Sequence, residues 1–202
     1  MRFFRRGCAA ILVLSLVALV GPPARAVEAL RFEDPAGDQL DARGSMDLVS
    51  VTLEVKPMAP RNTLSMVTTF ELSAPAEQLM VSYDMSSTIP GCGSFSASYR
   101  PGTLLATAAG SQLNQYFMNC GFPETTGTGT AGSVPASAKL DGNKVIVWAA
   151  MSAFPKEIIE GAELTNISAT TQVSEPVFGI IGNSAILAPT DEATTDKSWR
   201  FV

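Results

Sequence analysis

Alternation of apolar and polar residues constrains this chain more than any other feature. Val49, Val51, Leu53 and Val55 alternate with Ser50, Thr52 and Glu54, and after the turn-forming run KPMAPRN the same period resumes through Leu64, Met66, Thr68, Phe70 and Leu72. A period of two marks strands with one buried face, because successive side chains of a strand point to opposite sides. The two segments read as consecutive antiparallel strands. Leu79, Val81, Tyr83 and Met85 form a third, bounded by Pro75 and by Ile89-Pro90-Gly91, and Phe95, Ala97 and Tyr99 form a fourth whose wet face carries Ser94, Ser96 and Ser98. Helical periodicity is nearly absent.

The second half continues in the same way. TLLATAAGSQLNQYFMN reads as strands near 103–107 and 113–118, and the Thr/Gly-rich ETTGTGTAGS that follows reads as an exposed loop. Asp141-Gly142 tolerates the positive φ of a tight hairpin turn, and KVIVWAAM after it has strong strand propensity. Pro155 at a first helical position and Gly161 as a stop argue for one short helical turn. Leu164 to Val173 reads as another strand, followed by short apolar pieces at Val177–Ile181 and Ala185–Leu187. The expectation is an all-β, antiparallel β-sandwich, jelly-roll-like, of eight to ten strands with one short helical turn.

The N-terminus places Arg2, Arg5 and Arg6 before thirteen residues from Cys8 to Val20 that are almost all apolar, then Gly-Pro-Pro and Ala24-Arg25-Ala26. This is the order of a secretory signal peptide, and the apolar run falls short of the roughly 20 residues that span a bilayer. Residues 1–26 are therefore expected to be removed, leaving a single sandwich domain over 27–202, secreted or periplasmic, with no membrane insertion after cleavage. Without Arg2, Arg5, Arg6 and Arg25 the chain holds ten basic against nineteen acidic residues, a net charge of −9. Nucleic acids and anionic lipids both call for a basic face, so neither is an expected partner.

Of the three cysteines only Cys92 and Cys120 survive such processing, and an oxidising compartment predicts a disulfide between them. The chain has no histidine. That removes the Ser-His-Asp and Cys-His arrangements and the usual general base near neutral pH. Paired carboxylates acting on a glycosidic bond would need an enclosed cleft and one acid of raised pKa, whereas the acids here fall in hydrophilic turns. Glycine loops that cradle phosphate between strand and helix are also missing. The chain is expected not to be an enzyme.

The stretch EDPAGDQLDARGSMD, residues 33–47, concentrates five carboxylates just before the first convincing strand. Asp34 and Asp38 flank Pro35 and Gly37, Asp47 opens the strand, and Asp191 lies near the far end of the chain in DEATTD. Two readings stand. Calcium takes six to eight oxygen ligands, and Asp34 and Asp38, joined by Asp47 and Asp191, would supply several. Alternatively these side chains cap turns by accepting hydrogen bonds from nearby amides.

DPAGD followed by MDLVSVTLEV, the DGNKVIVWAAM hairpin, FP...GAELTNISATT and the closing DEATTDKSW together resemble secreted β-sandwich domains of the DOMON-like group, related to family 9 carbohydrate-binding modules. The resemblance runs from about Phe32 to Trp199. It implies a jelly-roll-like sandwich that binds sugar or haem, or serves as an accessory domain. Haem-binding members use a methionine and a histidine, and this chain lacks the histidine. Sugar-binding members hold a pyranose against aromatic faces, which makes Trp148 and Tyr99 the candidate ligand-binding residues, although Trp148 lies mid-strand where burial in the core is its expected fate. The function expected is a monomeric binding module for carbohydrate, stabilised by calcium. The alternative is an envelope or extracellular domain that binds protein and has no small-molecule ligand.

Overall fold

The computed structural model describes residues 28–38, 46–76, 81–100, 114–120, 130–176, 184–186 and 191–201. Two antiparallel sheets pack face to face. Among the described residues the strands are β1 (Leu30–Glu33), β2 (Leu48–Met58), β3 (Thr63–Leu72), β4 (Val81–Ile89), β5 (Gly93–Tyr99), β6 (Asn114–Cys120), β7 (Thr130–Pro135), β8 (Ser137–Asp141), β9 (Lys144–Ala150), β10 (Glu163–Pro176), β11 (Ser184–Ile186), β12 (Asp191–Thr195) and β13 (Trp199–Arg200). One sheet has the order β1-β2-β3-β9-β8; the other runs β11-β10-β4-β5-β6-β7, with β12 and β13 also paired to β10. The all-β sandwich is as expected from the alternation.

Thirteen strands exceed the eight to ten expected. The excess comes from short pieces such as β1, β11, β12 and β13, which bury too few residues to show a period in the sequence. Thr130 to Ser133, read as part of an exposed loop, belong to β7 and pair with Phe117 to Cys120. A small, polar run is thus drawn into the ladder by its neighbour. Two short helical segments replace the single turn, a 3-10 turn at Met151–Ala153 and α1 at Lys156–Ile159. Pro155 is the N-cap rather than the first helical residue, and Gly161 ends the segment at φ 97°. The expected signal segment and the strand near 103–107 lie outside the described residues.

The core follows the alternation closely. Val51, Leu53, Met66, Phe70, Val145 and Val147 from one sheet meet Tyr83, Met85, Phe95, Ala97 and Tyr116 from the other, and Trp199 and Phe201 close one end. Hairpin β8–β9 turns through Gly142 at φ 63°, a conformation that costs glycine nothing. Asn143 then anchors that turn to β3 by donating from Nδ2 to the Leu72 carbonyl at 2.8 Å. Near the start of β10 the pairing with β4 slips between Thr165 and Ser168, and Asn166 takes φ 50° there, so the Asn-Ile-Ser triplet marks a β-bulge. Among the described residues no helix is long and apolar enough to cross a membrane.

Candidate functional site

Two places on the sandwich gather chemistry, and they lie at opposite ends of β2. The first is acidic. β1 leads into a turn at Pro35 to Gly37, and Gly37, at φ 90°, bends the chain back. The Gly37 amide donates to Asp47 Oδ1 at 2.8 Å, fastening the turn to the start of β2. From the other sheet Asp191 accepts the Leu48 amide on Oδ2 at 2.6 Å and the Glu192 amide on Oδ1 at 3.0 Å. These bonds bring oxygens of Asp34, Asp38 and Asp191 within 4.8 Å of one another.

The structure thus divides the acidic stretch between residues that accept capping hydrogen bonds and residues whose carboxylates cluster. Asp47 is a capping residue and stands outside the three-carboxylate group. Asp191 caps and also joins the group, while Asp34 and Asp38 contribute the remaining carboxylates. No lysine or arginine pairs with any of the three among the described residues. Asp34 Oδ2 is buried without a hydrogen-bond partner. Burial, reinforced by the charges of Asp191, Asp38 and Asp47, pushes the Asp34 carboxyl up to about 6. Burial also raises Asp191, against the two amides that bond it, with Asp38 and Asp47 adding to the rise. Acids of raised pKa therefore occur, Asp34 foremost, contrary to the expectation for hydrophilic turns. Asp34 sits on an open loop, and neither of the two clefts described below is lined by it.

The second place is aromatic. Val145, Val147 and Ala149 point into the core, so Trp148 emerges on the outer face of its sheet, half-buried rather than in the core. The reason is register: Trp148 lies opposite Val67 on β3 and Ser137 on β8, on the same outer face as Val67, which is fully buried. Beside it an open cleft of about 200 Å³ is lined by Met58, Pro60, Arg61, Ser65, Ser137 and Trp148, among others. The turn between β2 and β3 forms one wall; there Asn62 takes φ 53°, which asparagine tolerates better than most residues. A larger groove of about 520 Å³ runs between β1 and β12, lined by residues including Phe32 and Thr195.

Tyr99 does not join Trp148. It packs against the core beside Tyr83, with ring centroids 5.8 Å apart, on the inner side of the opposite sheet. Inward and outward positions on different sheets cannot floor one platform. Arg61 and Ser65, which line the Trp148 cleft, carried no signal in the sequence, because KPMAPRN reads only as a turn and Ser65 only as a polar member of an alternating strand. Gly93 on β5 faces Cys120 on β6, so Cys92 and Cys120 stand one residue out of register on neighbouring strands. Cys92 is packed against the core.

No family model, no curated protein and no solved structure matches the chain. The likeness to DOMON-like domains rests on its short motifs alone.

Proposed function

We propose that the chain is an exported, non-catalytic carbohydrate-binding module that holds its ligand in the Trp148 cleft and is stabilised by calcium at its acidic end. The observation that carries this reading is the outward position of Trp148. A half-buried indole in an open cleft offers an apolar face to the C–H face of a pyranose, and Thr63 and Ser137 around it supply hydroxyl groups for the sugar's own, while the buried Ser65 hydroxyl donates to the Thr63 carbonyl at 2.9 Å. The indole N–H of Trp148 donates to no protein acceptor among the described residues, whereas Trp199 gives its own to the Glu28 carbonyl at 2.9 Å. Trp199 is a core residue; Trp148 has its polar edge to spare.

A calcium ion fits the acidic group for two separate reasons. Three carboxylates drawn together without a cation repel one another and help raise Asp34, and Asp34 Oδ2 is buried without a hydrogen-bond partner. Asp34, Asp38 and Asp191 would hold the ion, bound carbonyls and water completing the six to eight oxygens calcium takes. Its role here is structural: it would clamp the β1–β2 loop to β12. A protein-docking role has less support, since Leu64 alone stands out as a strongly exposed large hydrophobic residue among those described.

The test is a glycan array probed with residues 27–202, with and without calcium, alongside the Trp148→Ala variant. Saccharide retained by the parent and lost by the variant supports the reading. Retention by neither, or by both, overturns it.

A further inference from the structure

We propose that the Trp148 cleft selects an acidic sugar, a uronate-bearing glycan whose carboxylate is taken by Arg61. The inference rests on the reading of the cleft as a sugar site and adds the class of sugar. Arg61 is the only charged residue among the described residues lining the cleft, and it is exposed. Every other arginine and lysine that forms an ion pair among the described residues does so elsewhere: Arg31 and Lys144 with Glu71, Lys56 with Glu54, Arg100 with Asp84, Lys139 with Asp141, Arg200 with Glu163. Arg61 has no carboxylate partner among them.

The chain's negative charge does not oppose this. The cleft lies at the Met58 end of β2 and the acidic group at the Leu48 end. Eleven strand residues at about 3.3 Å each put roughly 30 Å between them. That is several times the Debye length of about 8 Å at physiological salt, so the acidic end is screened from a ligand in the cleft. Glu54 is the nearer acid, two strands from Trp148 across Val67, and Lys56 already pairs with it. The local field at the cleft is therefore set by Arg61.

The geometry suits a uronate. A guanidinium binds a planar carboxylate through two parallel N–H bonds, and the ring bearing that carboxylate keeps an apolar face to lie on the indole. A cleft of about 200 Å³ is smaller than the roughly 300 Å³ that encloses a drug-sized ligand, so a single sugar unit of a longer chain fits it.

Binding of three probes to residues 27–202 would be compared by calorimetry: an oligogalacturonate, the same oligomer with its carboxyls reduced to alcohols, and a sulfated oligosaccharide of equal length. The oligogalacturonate should bind about tenfold or more tightly than its reduced form, the difference expected for a charge-assisted hydrogen bond. Arg61→Gln should erase that preference, and Arg61→Lys should restore only part of it, because lysine lacks the fork. Equal binding of the two oligomers, a preference that survives Arg61→Gln, or tighter binding of the sulfated probe than of the uronate would overturn the uronate assignment and leave the sugar site standing. Failure of all three probes together with every neutral glycan of the array would remove the sugar site itself, and the assignment with it.

Discussion

The amide of Leu48 donates to Asp191 Oδ2 at 2.6 Å, a bond between residues 143 positions apart that joins the first long strand of one sheet to β12 of the other. With Asp34 and Asp38 gathered around the same carboxylate, one residue serves both the seam between sheets and the acidic group.

Removing that side chain separates the two roles. Asp191→Ala strands the buried Leu48 amide and should cost about 1 to 3 kcal/mol in urea unfolding, the penalty for an unsatisfied buried donor. Asp191→Asn keeps an oxygen acceptor and should cost less. Equal loss in both variants would show that charge, not the hydrogen bond, is what matters there.

Calcium should raise the melting midpoint. At a calcium concentration 100 times the dissociation constant, mass action gives about 2.7 kcal/mol, and for a domain of this size each kcal/mol moves the midpoint by about 2 to 4 °C. Asp34→Asn should abolish the response while raising the midpoint in chelator, because it removes a like charge from the group. An unchanged midpoint on adding calcium to chelated protein would exclude the ion.

In chelator the same group sets a pH dependence of unusual sign. Asp34 is raised to about 6 from an ordinary 3.8, so between those values the folded state binds more protons than the unfolded one. Stability should therefore rise as pH falls from 7 towards 5. Asp191 and Asp84, both raised chiefly by burial, act in the same direction. Glu71 acts oppositely: burial pushes it up, but Ser50, Lys144 and Arg31 outweigh that and hold it below its usual 4.5, so its contribution is lost only at lower pH. Melting curves at pH 5 and 7 in chelator would check this, and saturating calcium should flatten or reverse the difference.

Tyr116 reaches across the sandwich. Its hydroxyl donates to the Val147 carbonyl at 3.1 Å and lies 3.1 Å from Thr68 Oγ1, so a buried threonine and a buried phenol satisfy one another between sheets. Burial drives the phenol's pKa up, against the Thr68 bonds, so it stays neutral. Tyr116→Phe should cost about 0.5 to 1.5 kcal/mol, and the double variant with Thr68→Val should cost less than the sum of the singles. Additive losses would mean that the pair is not coupled.

Joining Cys92 to Cys120 would close a loop worth about 3 to 4 kcal/mol. Mass spectrometry should find the intact protein 2 Da lighter than its reduced form, a number set by the loss of two hydrogens in the S–S bond, and reduction should lower the melting midpoint. Two titratable thiols at Cys92 and Cys120 in the native protein would contradict the pairing.

Much of this architecture was legible in the residues alone. Alternation through Val51, Leu53, Met66 and Phe70 assigned an inner face, because a strand's side chains must alternate whatever it packs against. Asp141-Gly142 located a hairpin because the backbone conformation required there is local. Local chemistry also marked the acidic loop as either a cap or an ion site. Only tertiary structure sorted the residues, giving Asp47 a capping hydrogen bond and bringing Asp191 across to Asp34 and Asp38. It likewise turned Trp148 outward and set Arg61 beside it, while Tyr99 went to the interior. Period and turn chemistry depend on neighbours a few positions away; which sheet a strand joins, and therefore which distant side chains meet, depends on register between segments far apart in the chain.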